Sequence, residues 1–363
     1  MSDIRIVDLT KRFGDLTAVS EANLEVAAGE VLCLLGPSGC GKTTTLRMVA
    51  GLEAVSGGDV YIADRRVNDL SPAQRDIAMV FQFYALYPSL TVAENLAYPL
   101  YAERLSANEI KARVDRVAQV LQLGAVMDRI PGRIAEGEKQ RVAVGRAIIR
   151  DPTCFLFDEP LSRLDIQLRQ TMRGQIKEVL SRLDKATVIV THDQIEALTM
   201  ADRIAVMRDG IIEQVDTPHG IFAKPANLFV AGFIGTPQMN LLPAEIVSCA
   251  GARARLRVQG QEFDASVDPA VERLSGNGQV TLGIRPRAFE PADDAASDTL
   301  SAEIDLVEPM GAETLIHAVR GGTDIRVVFD HLVPVSPGDQ IRFRIKSGQL
   351  HVFDGNGERV HSA

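Results

Sequence analysis

The chain has 363 residues, 46% hydrophobic and 24% charged, with a formal net charge of -9. That length predicts a large domain plus a smaller one, and the ordinary balance of apolar and charged residues excludes a disordered chain. The acidic balance argues against a nucleic-acid partner, and the longest apolar runs are far too short to cross a bilayer.

Residues 1–10 lack the apolar stretch of a signal peptide, so the expected location is the cytoplasm. Val31–Leu35 is a short continuous apolar run that suits a strand buried on both faces. It is followed by Gly36-Pro37-Ser38-Gly39-Cys40-Gly41-Lys42-Thr43, a match to GxxxxGK[ST], and then by a helical segment. A helical pattern covers 107–121. The run 154–157 reads as a second buried strand ending in the adjacent carboxylates Asp158 and Glu159, and 161–183 reads as a helix. The runs 187–190, ending at Thr191-His192-Asp193, and 204–207 complete a set of strands alternating with helices, as in a parallel α/β sheet.

After Gly235-Thr236-Pro237 the pattern changes to short alternating strands, at 252–258, 279–283, 302–307, 314–319, 324–329 and 340–345. This spacing predicts a small β-barrel or sandwich. The domain boundary is therefore expected near residue 236, giving domains 1–235 and 236–363. Residues 291–298 form a polar loop. The cysteines Cys33, Cys40, Cys154 and Cys249 show neither a CxxC pair nor a metal-ligand spacing, so free thiols are expected.

The glycines of the 36–43 loop let backbone N–H groups converge on phosphate oxygens, the following helix points its positive end at them, and Lys42 adds a cation. Thr43 offers a hydroxyl to Mg²⁺. A dinucleotide fingerprint fails, because Thr44 stands where GxGxxG starting at Gly39 needs its last glycine. In P-loop enzymes an acid after an apolar strand holds Mg²⁺, which fits Asp158, while Glu159 is placed to orient the attacking water. His192, at another strand end on the same rim, is a candidate γ-phosphate contact. The loop cysteine Cys40 lies by a helix start and a lysine, which favours a reactive thiolate that bound nucleotide would shield.

Together these residues resemble the ABC ATPase family, in particular the ATP-binding subunits of maltose-type and glycerol-phosphate-type importers. The likeness spans nearly the whole chain. It implies a P-loop NTPase fold, a RecA-like α/β core with a helical subdomain at about 86–150, joined to an all-β OB-like domain. It also implies that Phe13 stacks on adenine and that Gln82, in Val80-Phe81-Gln82, is the Q-loop glutamine and a metal ligand. Gly36, Ser38, Gly39, Cys40, Gly41, Lys42, Thr43 and Thr44 then bind ATP, Thr43, Gln82 and Asp158 bind Mg²⁺, and Glu159 and His192 match the catalytic glutamate and switch histidine.

The segment 137–146 resembles the signature helix. It keeps Gln140-Arg141-Val142-Ala143 but presents Ile134-Ala135-Glu136-Gly137-Glu138 in place of LSGGQ, so Ala135 lacks the serine hydroxyl that reaches a partner's γ-phosphate. Leu161-Ser162-Arg163-Leu164-Asp165 resembles the D-loop, with Arg163 in place of asparagine. Ala135, Gly137, Glu138 and Asp165 are the residues implied to act in trans. Tyr84, Leu86 and Tyr87 resemble the start of the surface that meets membrane subunits, a groove for a partner helix rather than plain core. Gly283-Ile284-Arg285-Pro286, with the 235–240 and 307–313 segments, resembles the C-terminal β-domain of carbohydrate-importer ATPases.

The resemblance implies an ATPase working at the cytoplasmic face of the inner membrane. It would act with a second ATPase subunit, identical or different, two transmembrane permease subunits and, indirectly, a periplasmic or lipoprotein solute-binding protein. A soluble ABC ATPase of DNA repair or translation, for which a coiled-coil insertion or tandem cassettes would be expected, and a regulatory subunit that only binds nucleotide are the alternatives.

Overall fold

Every residue of the run Val31–Leu35 is buried, because parallel strands on both edges and helices on both faces leave it no solvent side. It lies inside a six-stranded sheet. The protein, seen here as a computed structural model, is described at residues 2–362 apart from 163, 182, 275–277 and 293–296. It divides into two compact units, Met1–His219 and Gly220–Ala363.

The first unit begins with β1 (Ser2–Phe13), β2 (Leu16–Ala27), β3 (Val31–Leu35), α1 (Lys42–Ala50), β4 (Gly57–Ile62), β5 (Arg65–Arg66) and β6 (Ile77–Val80). Three helices follow, α2 (Val92–Ala97), α3 (Ala107–Val120) and α4 (Glu136–Ile148). It then continues through β7 (Cys154–Asp158), α5 (Ile166–Leu180), β8 (Ala186–Thr191), α6 (Gln194–Met200), β9 (Arg203–Arg208) and β10 (Ile211–Asp216). The main sheet has the order β10-β9-β3-β8-β7-β6 and is parallel except for the β9–β10 hairpin. A second, antiparallel sheet has the order β2-β1-β4-β5.

Local chemistry sets the helix starts. Ser106 accepts from the Glu109 N–H while the Glu109 carboxylate accepts from the Ser106 N–H, a reciprocal cap that opens α3. Asp165 caps α5 by accepting from the Leu168 N–H. The helix expected over 161–183 therefore begins only at Ile166: Leu161 and Leu164 are buried in the preceding turn, and their three-residue spacing mimics a helical face. The helices α2–α4 lie within 86–150, and their Leu96, Val117 and Val144 join an apolar cluster continuous with Phe155, Phe157 and Ile176 of the α/β core.

The second unit holds α7 (Pro218–Ala223), α8 (Leu228–Phe233), β11 (Asn240–Ala250), β12 (Arg253–Val258), β13 (Gln261–Ser266), β14 (Gln279–Ile284) and β15 (Phe289–Pro291). These are followed by β16 (Thr299–Pro309), β17 (Thr314–Arg320), β18 (Thr323–Phe329), β19 (Gln340–Ile345) and β20 (Leu350–Phe353). Two antiparallel five-stranded sheets, β13-β12-β11-β14-β20 and β15-β19-β16-β17-β18, share one core that includes Leu256, Phe263, Leu282, Ile316 and Phe343. Asn240 joins them: its amide donates to Ile284 O and Arg326 O and accepts from the Arg326 N–H. Part of the polar loop expected over 291–298 lies outside the described residues.

The units divide at 219/220, ahead of the boundary expected near 236. Arg285 explains the difference. Its guanidinium donates to Ile234 O and to Phe222 O, the latter at 2.8 Å, and stacks 4.0 Å above the Phe222 ring. Burial lowers its pKa to about 10. Ala231 of α8 packs with Met239 and Phe353, and the Leu228 N–H donates to Gly357 O. The segment before residue 236 is therefore held by the β-domain.

His351 on β20 gives this unit a pH dependence. Burial, with the Arg359 and Arg285 cations adding, lowers its pKa from 6.5 to about 4. Between those values the unfolded chain binds more protons than the folded one, so stability is complete above pH 6.5 and is lost as the pH falls towards 4. The contribution at stake is about 3 kcal/mol. Urea unfolding at pH 7 and pH 4.5, with this unit's transition identified by hydrogen exchange of β20, should show the loss. His351→Gln should flatten it.

Candidate functional site

The parallel register sets the carboxyl ends of β3, β8 and β7 side by side, with Leu35 opposite Thr191 and Val190 opposite Asp158. Ligands of such sheets bind on this rim. The loop after β3 packs closely: a Cβ on Gly36 would lie 2.1 Å from Met207 O, and Gly41 adopts φ 103° with Ala18 O 2.5 Å from its Cβ position. Only glycine fits at either place. Pro37, Ser38 and Gly39 form the exposed tip, and Thr44 is half-buried. Lys42 is 5% exposed, and its ammonium donates to Gly36 O and Pro37 O, both at 2.8 Å. A cation and the N–H groups at the start of α1 thus gather at one loop, the chemistry of a polyphosphate cradle.

Thr43 Oγ1 donates to Asp158 Oδ1 at 3.0 Å. Desolvation raises the Asp158 pKa, opposed by the Thr43 hydrogen bond. Among the described residues no three His, Cys, Asp or Glu side chains cluster as a metal site. Two hard oxygen donors beside a phosphate cradle still fit Mg²⁺, which keeps several waters and takes phosphate oxygens.

Glu159 is held at φ 47°, a left-handed conformation that costs a non-glycine residue about 1–3 kcal/mol. Its N–H donates to Val190 O, fixing the turn. Gln82 Nε2 donates to Glu159 Oε2 at 2.9 Å, and His192 Nδ1 lies 3.0 Å from Glu159 Oε1. Gln82, Glu159 and His192 therefore form one hydrogen-bonded trio. In this conformation the Gln82 amide nitrogen serves Glu159 and, at 3.4 Å, Ser162; the resemblance had implied a metal-ligand role for this residue.

Other expected residues stand apart from the trio. Phe13 is exposed at the end of β1 with Lys11 Nζ 4.7 Å above its ring. Ala135 is the exposed N-cap residue of α4, and Gly137 is buried under Leu168. Alanine has no acceptor, so only half a capping box forms there: the half-buried Glu138 accepts from the Ala135 N–H at 2.7 Å. Asp165 is exposed, and Arg163 lies outside the described residues. Tyr84 is core, whereas Phe83, Tyr98 and Tyr101 are exposed. Tyr87 stacks near Tyr98 at 4.3 Å with the Arg146 guanidinium 4.7 Å above it, beside a cleft of about 360 Å³.

Sequence reasoning assigned no role to Arg169, Thr191, Asp193 or Glu196, which form a network behind His192. Asp193 with Glu196 three residues later matches a helix-start pattern, the one signal that was legible.

Cys40 corrects an expectation. Its side chain is 4% exposed and packs in the core with Leu34 and Met207, its Sγ 3.6 Å from Lys42 Nζ. A maleimide must wait for the loop to open. The half-buried Cys249 should react first, leaving ATP hydrolysis intact, and Cys249→Ser should remove the fast phase. Peptide mass mapping over time checks the order; early labelling of Cys40 would show the loop to be open.

Residues 19–162 match the ABC transporter family, residues 235–289 the MalK OB fold domain and residues 282–353 the TOBE domain. The chain is 46% identical over 366 residues to the sn-glycerol-3-phosphate import ATP-binding protein UgpC of Ruegeria sp., covering 99% of each. It is 43% identical over 364 residues to the lactose transport ATP-binding protein LacK of Rhizobium radiobacter, covering 99% of this chain and 100% of that one. A solved dimeric ATP-binding cassette in a post-hydrolysis state with ADP and Pi is 28% identical, with a TM-score of 0.53, over 59% of this chain and 98% of that one.

Proposed function

This chain belongs to the family of ABC transporter ATP-binding subunits, and we propose that it hydrolyses ATP to drive import of a sugar, a polyol or a glycerol phosphate. The hydrogen-bonded trio at the sheet rim supports the hydrolysis. The full-length likeness to sugar and glycerol-phosphate import subunits, OB and TOBE regions included, supports the solute class.

In this reading the loop from Gly36 to Thr44 wraps the phosphates, with Lys42 turning from its two carbonyls to the β and γ oxygens. Phe13 covers the adenine. Thr43, Asp158 and Gln82 would hold Mg²⁺, which would neutralise charge on the phosphates when bound. Glu159 orients and polarises the attacking water, and His192 fixes the carboxylate until the γ-phosphate arrives to take its hydrogen bond. The strained backbone of Glu159 aims its carboxylate across the rim.

The likeness to a dimeric cassette supports a second ATPase subunit whose signature helix completes the site. Tyr87, Tyr98 and Arg146 line the cleft that would receive a helix of one of the two permease subunits, so the chain works at the cytoplasmic face of the membrane, fed by a solute-binding protein outside. Reconstitution with the permease subunits tests this: ATP hydrolysis should rise with a binding protein loaded with one of these solutes. Hydrolysis indifferent to all three classes would reject the solute assignment.

A further inference from the structure

Arg169 lies one turn into α5, and its guanidinium spans two segments. Nη2 donates to Leu164 O at 3.0 Å, in the turn before the helix, and Nη1 donates to Asp193 Oδ2 at 3.1 Å, next to His192. Nε faces Glu196 Oε1 at 3.9 Å.

The residues it grips are themselves fixed. Asp193 Oδ1 accepts from the Ile195 and Glu196 N–H groups at 2.8 and 3.1 Å. The Asp193 N–H donates to Thr191 Oγ1 at 3.0 Å, and that hydroxyl donates to Glu196 Oε2 at 2.7 Å. The Glu196 side chain is 3% exposed. His192 thus sits between Thr191 and Asp193, both anchored to one cluster, and its ring reaches forward to Glu159.

We infer that Arg169 is a positioning residue: it clamps the turn at Leu164 to Asp193 and so sets the place of His192, and through it the Glu159 carboxylate. A planar fork can serve a carbonyl and a carboxylate at once, which lysine's single ammonium does less well. Losing the clamp leaves the phosphate loop untouched, so the defect falls on turnover rather than on ATP binding. The inference rests on the roles proposed above for Glu159 and His192.

The test uses the full chain assembled with its membrane subunits. Arg169→Ala should lower kcat by about ten-fold while KM for ATP stays within about two-fold, and Arg169→Lys should recover part of the loss. Asp193→Asn keeps the helix cap and removes only the anionic partner, so it should lower kcat in the same way, which keeps the proposal testable if Arg169→Ala folds poorly. In a His192→Ala background, adding Arg169→Ala should change kcat by less than about two-fold, because the two act as one unit. Equal fold losses in both backgrounds, unchanged kcat in Asp193→Asn, or a fall in Tm with kcat and KM affected together would each overturn it. Glu159→Gln run alongside separates the two failures: if it hydrolyses ATP normally the reading of the site is wrong, and if it alone is dead the clamp is wrong.

Discussion

Glu159→Gln should bind ATP as tightly as the natural chain and hydrolyse it about 10² to 10⁴ times more slowly, the usual cost of removing a general base. The geometry makes this an unusually clean substitution. The introduced amide has the same shape, its oxygen can accept from Gln82 Nε2, and its NH₂ can donate to His192 Nδ1, so both contacts of the carboxylate at 2.9 and 3.0 Å keep a counterpart. The left-handed backbone is unchanged, and none of the loop contacts of Lys42 involves this side chain. What is lost is the negative charge proposed to polarise water. Single-turnover hydrolysis and equilibrium ATP binding measured on the same assembled complex decide the matter. Near-normal turnover would remove Glu159 from the mechanism, and lost binding would show that the trio shapes the phosphate cradle.

What the sequence made legible was what is local. Val31–Leu35 and the 154–157 and 187–190 runs are apolar because each strand is covered on both faces, so a short run between glycine, proline and charged residues carries its own boundaries. The phosphate loop is equally local, since the conformation needs its glycines in order. The first strand went unread because β1 carries register shifts between Ile6 and Leu9 and again near Lys11, which break the two-residue alternation a half-buried strand should show. The residues of the trio were named by resemblance, but their hydrogen bonds to one another were beyond sequence reading: Gln82 and Glu159 are 77 residues apart and are brought together by the pairing of β6 with β7. That the compact units divide at 219/220, ahead of 236, is non-local in the same way, because Arg285 reaches back 63 residues to Phe222.

Ala135→Ser should raise ATP hydrolysis several-fold in a complex whose two ATPase subunits are both this chain. In the proposed assembly the N-cap of α4 faces the partner's γ-phosphate, and a serine hydroxyl there would add one charge-assisted hydrogen bond. Such a bond is worth about 1.5–3 kcal/mol, and if it is expressed wholly in the transition state the gain is on the order of 10 to 100-fold. The local structure supplies a second effect that must be separated from the first. Position 135 caps its helix without a side-chain acceptor, while Glu138 already accepts from the residue 135 N–H, so a hydroxyl would complete the capping box and stabilise the helix by about 1 kcal/mol. Ala135→Asn caps equally well but places an amide, not a hydroxyl, towards the phosphate. The serine variant should therefore raise both Tm and turnover, and the asparagine variant Tm alone. Equal gains in turnover from both would assign the effect to helix order, and no gain from serine would show that the missing hydroxyl does not limit the rate. In a complex where the second ATPase subunit is a different chain that presents the serine itself, the site built on Lys42 and Glu159 already receives that hydrogen bond, and Ala135→Ser should move turnover little.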